Sequence, residues 1–270
     1  MYDLLTGGIA TLLYCLAALL LALRLSRAGE AHRTSKLVAL LPAGLAVVLH
    51  AMILTGAVLQ PNGLNLGFFN ALSLAGWLIA AVLFLVALVK PVESLGILLM
   101  PFAALTVLLE LVFTADRIVV DINQWPLEVH ILLSLLAYSL LALAAVQALL
   151  LAVQEHRLHA RRPGGFIRGI PPLMTMESLL FQLLAAGFVL LSLALLSGAL
   201  FVEDLLAQHL VHKTVLTTLA WLVFGILLWG RWRFGWRGKT AIRWTLTGFA
   251  VLVLGYFGSK LVLELVLKVS

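Results

Sequence analysis

The chain has 270 residues, of which 63% are hydrophobic and 11% charged, with a formal net charge of +6. Soluble domains carry roughly 25% charged residues, so this composition excludes a water-soluble globular fold, and with it a nucleic-acid-binding face on a soluble domain. The single cysteine, Cys15, excludes an internal disulfide and any Cys-x-x-Cys redox or zinc motif.

Crossing the hydrocarbon core takes about 20 apolar residues. Eight runs are long enough, at 2–23, 37–59, 67–89, 93–114, 127–153, 177–202, 211–230 and 241–266. They are continuous and rich in Leu and Ala, unlike the short alternating segments of a membrane β-barrel. The expected fold is therefore all-α: a polytopic membrane protein with eight transmembrane helices, forming a single integral-membrane domain over 1–270. Met1-Tyr2-Asp3 lacks the basic stretch that opens a cleavable signal peptide, so the first run is expected to be retained.

The connections alternate in charge. Arg24, Arg27, Arg33 and Lys36 separate the first two spans, and Lys90 separates the third from the fourth. Arg157, Arg161, Arg162 and Arg168 follow the fifth, while Arg231, Arg233, Arg237, Lys239 and Arg243 join the seventh to the eighth. These fourteen of the 18 lysines and arginines fall on one side, which the positive-inside rule assigns to the cytoplasm. The opposite connections carry Asp116, Asp121, Glu128, Glu203 and Asp204, so both termini are expected outside, in the periplasm of a bacterial inner membrane. The breaker-rich linker near 155–176, with Arg161-Arg-Pro-Gly-Gly165 and Pro171-Pro172, reads as an orientation signal and flexible connector, or as a contact for anionic lipid or a cytosolic partner.

Ionisable groups inside spans are costly and mark candidate sites. His32, His156 and His159 lie among arginines in the cytoplasmic connections, where solvation accounts for them. The other four histidines lie toward the outer face. His50 precedes the outer end of its span by about nine residues, roughly 13 Å at 1.5 Å per residue. His130 is about one turn into the fifth span, and His209 and His212 open the seventh. Neutral imidazole is a common ligand of haem iron, so His130, His50 and His212 are candidate haem ligands, with iron coordination resting on His130 and His50. The competing explanation is a structural hydrogen bond between helices. Glu110, near the outer end of the fourth span, is expected to snorkel to water or pair with Arg117; Lys213 and Lys260 are expected to snorkel too. Trp229, Trp232, Trp236 and Trp244 suit an interfacial aromatic belt. Ser134, Tyr138, Ser139 and Gln147 read as a helix-packing face or the border of a cofactor.

Three segments carry a family resemblance: Val129-His130-Ile-Leu-Leu-Ser-Leu-Leu-Ala-Tyr138; Pro172-Leu-Met-Thr-Met-Glu177-Ser-Leu-Leu-Phe181 through Ser197-Gly198-Ala199; and Gly235-Trp-Arg-Gly238 to Tyr256-Phe-Gly258. On these the chain resembles the cytochrome c assembly membrane family, the CcsA/HemX-like group, nearest to its short YpjD-type members. The resemblance implies a protein that moves or presents haem for attachment to apocytochrome c, with haem b as cofactor and with membrane lipid, haem and other assembly proteins as partners. His130 matches the first of the histidines that flank the family's external tryptophan-rich loop. Where that loop should lie, this chain has Phe201-Val-Glu-Asp-Leu-Leu-Ala-Gln-His-Leu-Val211, without tryptophan. The second flanking histidine has no counterpart in Ser259–Ser270, and Trp229 stands where the family has an in-span histidine.

Three functions follow from these letters. The first is a haem-binding or haem-handling membrane protein with haem near the outer face. The second is a haem-free scaffold or regulator acting through the basic cytoplasmic segments, a role that HemX-type relatives allow. The third is a small transporter using His50, Glu110 and His130, although Pro42 and Pro101 mark no inverted repeat. No nucleophile–base pair, phosphate loop or metal-hydrolase spacing occurs, so no enzyme activity is expected.

Overall fold

A computed structural model describes residues 2–27, 35–60, 63–113, 118–120, 125–159, 169–201 and 208–258. The segments with His32, Arg33, Asp116, Arg117, Asp121, Arg161, Arg162, Arg168, Glu203, Asp204 and Lys260 lie outside the described residues, as do the side chains of His159, His209 and His212. Helices α1 (Tyr2–Ser26), α2 (Lys36–Val58), α3 (Phe68–Val89), α4 (Gly96–Val112), α5 (Trp125–His159), α6 (Leu173–Phe201), α7 (Gln208–Phe234) and α8 (Gly238–Val253) follow in order. Eight helices among the described residues are long and apolar enough to cross a membrane. The chain is an all-α multi-pass membrane protein, and each expected span coincides with one helix.

The burial pattern gives the physical reason. Leu12, Leu41, Val48, Leu85, Leu105, Leu196 and Leu200 are exposed, whereas the interior is lined with Ala10, Ala17, Ala43, Ala46, Ala80, Ala103, Ala144 and Ala148. Leucines and valines cover the outer faces while alanines recur among the buried positions beside larger side chains such as Tyr14 and Phe224, which suits a lipid solvent. Hydrophobicity does not drive one helix onto another in lipid, and small residues let backbones approach closely. Gly76 of α3 faces Thr106 of α4 and Gly248 of α8 faces the Phe224 ring of α7, each too close for a Cβ to fit without a shift.

The chain divides into two compact units. The first comprises Met1–Asp121 and His156–Pro172, and so holds α1 to α4; the second comprises Ile122–Glu155 and Leu173–Ser270, and holds most of α5 together with α6 to α8.

One element departs from helix. In the first unit, β1 (Leu59–Gln60), β2 (Gly63–Asn65) and β3 (Ile118–Val120) form a small antiparallel sheet in that order. Leu59 pairs with Leu64 and Leu64 with Val120. Gly63 sits at φ 143°, backbone space that favours glycine. Asn65 accepts from the Gly67 N–H at 3.2 Å, and Asn70 of α3 donates to the Asn65 and Ala57 carbonyls at 3.3 Å each. The sheet is thereby tied to the ends of α2 and α3. A second irregularity lies beyond α8, where Leu254–Gly258 widens into a π-helical turn. The expected eighth span ran on to residue 266, and residues 259–270 lie outside the described residues.

Candidate functional site

Polar side chains inside the first unit form one hydrogen-bonded line across four helices. Tyr14 of α1, His50 of α2, Ser73 of α3 and Glu110 of α4 are all buried, Tyr14, His50 and Ser73 completely. The Tyr14 hydroxyl lies 3.2 Å from His50 Nδ1, His50 Nε2 lies 2.9 Å from Ser73 Oγ, and Ser73 Oγ donates to Glu110 Oε2 in a short contact. A hydroxyl has one proton to give and neutral imidazole carries one. With Ser73 donating to Glu110, His50 donates from Nε2 to Ser73 and accepts at Nδ1 from Tyr14. The direction follows from the hydrogen-bond network, the usual basis for assigning a tautomer.

This arrangement bears on two expectations. Glu110 does not snorkel to water; it turns inward to Ser73 and is 4% exposed, while Arg117, its other expected partner, lies outside the described residues. Both ring nitrogens of His50 are occupied, so iron coordination by His50 requires that one of these two bonds be broken.

His130 is placed differently. It lies in the second turn of α5, half-buried against α6. Its Nδ1 lies 3.0 Å from the Ala194 carbonyl oxygen and 3.0 Å from Ser197 Oγ, and Ser197 itself donates to Ala194 O at 2.9 Å. A carbonyl can only accept, so the proton sits on Nδ1 and the lone pair on Nε2. A Cβ at Gly198 would come within 3.0 Å of the imidazole Cε1, so the missing side chain makes room for the ring. A backbone carbonyl holding Nδ1–H, with Nε2 left as the donor atom, is the second-shell arrangement found behind metal-bound histidines. His50 and His130 belong to different units. His212 lies in the first turns of α7, with its side chain outside the described residues.

The polar stripe below His130 serves packing. Tyr138 donates to the Leu252 carbonyl of α8 at 3.2 Å, Ser139 bonds back to Leu135 O, and Gln147 donates to Met176 O of α6 at 2.9 Å. Trp229 and Trp232 are exposed, as an aromatic belt requires. Lys213 lies 5.9 Å from the centre of the Tyr256 ring, a cation–π distance.

Each unit also buries one glutamate among the basic residues at its cytoplasm-assigned end. Glu93 pairs with Arg24 at 3.7 Å and Lys36 at 3.5 Å. Glu177 of α6 receives Arg237 through Nε and Nη2 at 3.0 and 2.8 Å, Arg231 at 3.4 Å and the Gly238 N–H at 3.4 Å. The turn between α7 and α8 is thus clamped, and two of its arginines are already engaged. Gly235 and Gly238, at φ 68° and 51°, permit the reversal. Glu177→Gln is expected to lower second-unit stability by about 1.5 kcal/mol, near the low end for hydrogen bonds to charged groups. Both arginines are partly exposed and can rehydrate. Thermal unfolding in mild detergent, followed by tryptophan fluorescence, measures it.

Residues 37–267 match the family model described as Cytochrome C assembly protein. The chain is 34% identical over 234 residues to the inner membrane protein YpjD of Escherichia coli, covering 84% of this chain and 87% of that one. It is 21% identical over 131 residues to the protein HemX of Brevibacillus brevis, about half of each chain (48% and 48%). It is 31% identical over 88 residues to the cytochrome c biogenesis protein CcsA of Prochlorococcus marinus, covering 32% of this chain and 28% of that one. No solved structure matches it.

Proposed function

The chain belongs to the cytochrome c assembly protein family, and from that premise we propose that it is a haem-binding, haem-handling protein of the bacterial inner membrane. His130 would hold the haem iron through Nε2. The observation that carries this reading is the state of the His130 ring, with Nδ1–H held by Ala194 O and Ser197 and Nε2 left with its lone pair. Bound haem iron supplies a Lewis-acid centre that accepts an imidazole nitrogen. The chain's own residues do the rest. Ala194 and Ser197 fix the tautomer and orientation of the ring, and Gly198 leaves space beside it. We take the haem to be b-type; attachment through paired thioethers needs two cysteines and the chain has one.

By the charge asymmetry of the connections, His130 lies toward the outer face, where haem would be handed to a partner in cytochrome assembly. The protein acts by binding and presentation, without catalytic turnover. His50, bonded to Tyr14 and Ser73, holds the helices of the first unit together.

The test is an absorption spectrum of protein purified gently from haem-replete cells, before and after addition of haem. A Soret band with the α and β bands of a ligated b-type haem is expected. Protein that is haem-free as isolated and takes up no added haem overturns the proposal.

A further inference from the structure

We propose that Glu110 is an outward-facing proton-binding site, in which Oε1 takes up a proton while Ser73, His50 and Tyr14 hold Oε2 as a hydrogen-bond acceptor.

Three observations carry this. First, the line from Tyr14 to Glu110 is directed: each donor is used, and each bond points toward the carboxyl group. Second, the carboxyl ends that line with its two oxygens unequal. Oε2 accepts from Ser73, whereas Oε1 is buried with no hydrogen-bond partner among the described residues. A buried carboxylate with one bare oxygen is costly, and a proton on that oxygen removes the charge. Third, the residues lie at graded depths. Counted from the helix ends on the sheet side, Glu110 is two residues in, Ser73 five, His50 eight and Tyr14 twelve. At 1.5 Å per residue these are depths of about 3, 8, 12 and 18 Å. By this count the carboxyl sits nearest the helix ends that the charge asymmetry assigns to the outer side, and the line ends at a tyrosine with no exposure.

The chemistry balances simply. One O–H bond forms on Oε1, the proton comes from the outer aqueous phase, and no other covalent bond changes. Among the described residues the line stops at Tyr14, so the proposed role is to bind a proton rather than to pass it across the membrane. Among the described residues, the groups facing Glu110 from the packed elements are Ser73 of α3 and, through it, His50 of α2 and Tyr14 of α1. Leu111 of α4 meets Gly7 of α1 beside it. The charged Arg24, Lys36 and Glu93 gather at the opposite end of the unit. The site lies within the first unit and does not depend on haem.

Infrared difference spectroscopy of the full chain in lipid nanodiscs, titrated from alkaline to acid pH, tests this. Protonated-carboxyl C=O absorption should grow as pH falls, and one component of it, that of Glu110, should be missing in Glu110→Gln. In Ser73→Ala the band should persist at higher frequency, because the carbonyl oxygen has lost its donor. Wild-type and Glu110→Gln spectra that titrate identically, or a Glu110 component whose frequency is unmoved in Ser73→Ala, would each overturn the proposal. The Ser73→Ala arm keeps the native carboxyl, so the test stands even where Glu110→Gln fails to fold.

Discussion

His130→Ala is expected to abolish stable haem retention, while Ser197→Ala weakens haem binding by about 10-fold. The order follows from what each group does. Alanine at 130 removes the donor nitrogen itself. Alanine at 197 leaves Nε2 in place and leaves the Ala194 carbonyl to hold Nδ1–H, removing one of the two acceptors around that proton. Loss of an outer-shell partner of a metal-bound histidine costs roughly 10–100-fold in affinity. The small end applies where a second acceptor remains, and loss of the ligand must exceed that range. Titration of haem into each purified variant, read at the Soret band, gives the three affinities. Equal affinity for wild type and His130→Ala would remove His130 from the site. Gly198→Ala offers a steric check on the same ring: its Cβ would crowd Cε1 at 3.0 Å and should shift the Soret maximum without removing the ligand.

The spans were legible because length and charge alternation are one-dimensional signals. Eight apolar runs predict eight helices whatever their partners, and the eight helices coincide with them. The position of His130 in its helix was legible for a related reason, though not its part in any site. It stands one turn into a helix beside an unusual Trp125-Pro126 start, and the family letters Ser197-Gly198 proved to be its cradle.

The environment of His50 was not legible, because its partners are 36 and 23 residues away on other helices and only packing brings them together. The inward turn of Glu110 was hidden for the same reason. Two residues from the end of α4, it looks like a group that reaches water, yet Ser73 of the neighbouring helix draws it inward. The sheet had a local signal, the Asn62-Gly63 pair typical of tight hairpins, but two- and three-residue strands are too short to show a hydrophobic period.

His50→Ala is expected to destabilise the first unit by about 4 kcal/mol and to leave haem binding per folded molecule unchanged. His50 is fully buried, and the substitution removes a ring from a packed interior. Large-to-alanine changes in cores cost about 2–5 kcal/mol, and two interhelical hydrogen bonds add about 1 kcal/mol each in a membrane. The bonds do not count in full, because Ser73 keeps its acceptor in Glu110 while Tyr14 is left without one. Unfolding by SDS titration from mild detergent measures the stability, and the Soret absorbance of the fraction that remains folded measures the ligand. The pair of readouts separates the two roles open to a buried histidine. A structural imidazole shifts the unfolding curve and spares the spectrum, whereas an axial ligand alters the spectrum at any degree of unfolding. His50→Gln sharpens the distinction. Its amide can accept from Tyr14 and donate to Ser73, so it should recover part of the lost stability, yet it supplies no imidazole nitrogen to iron.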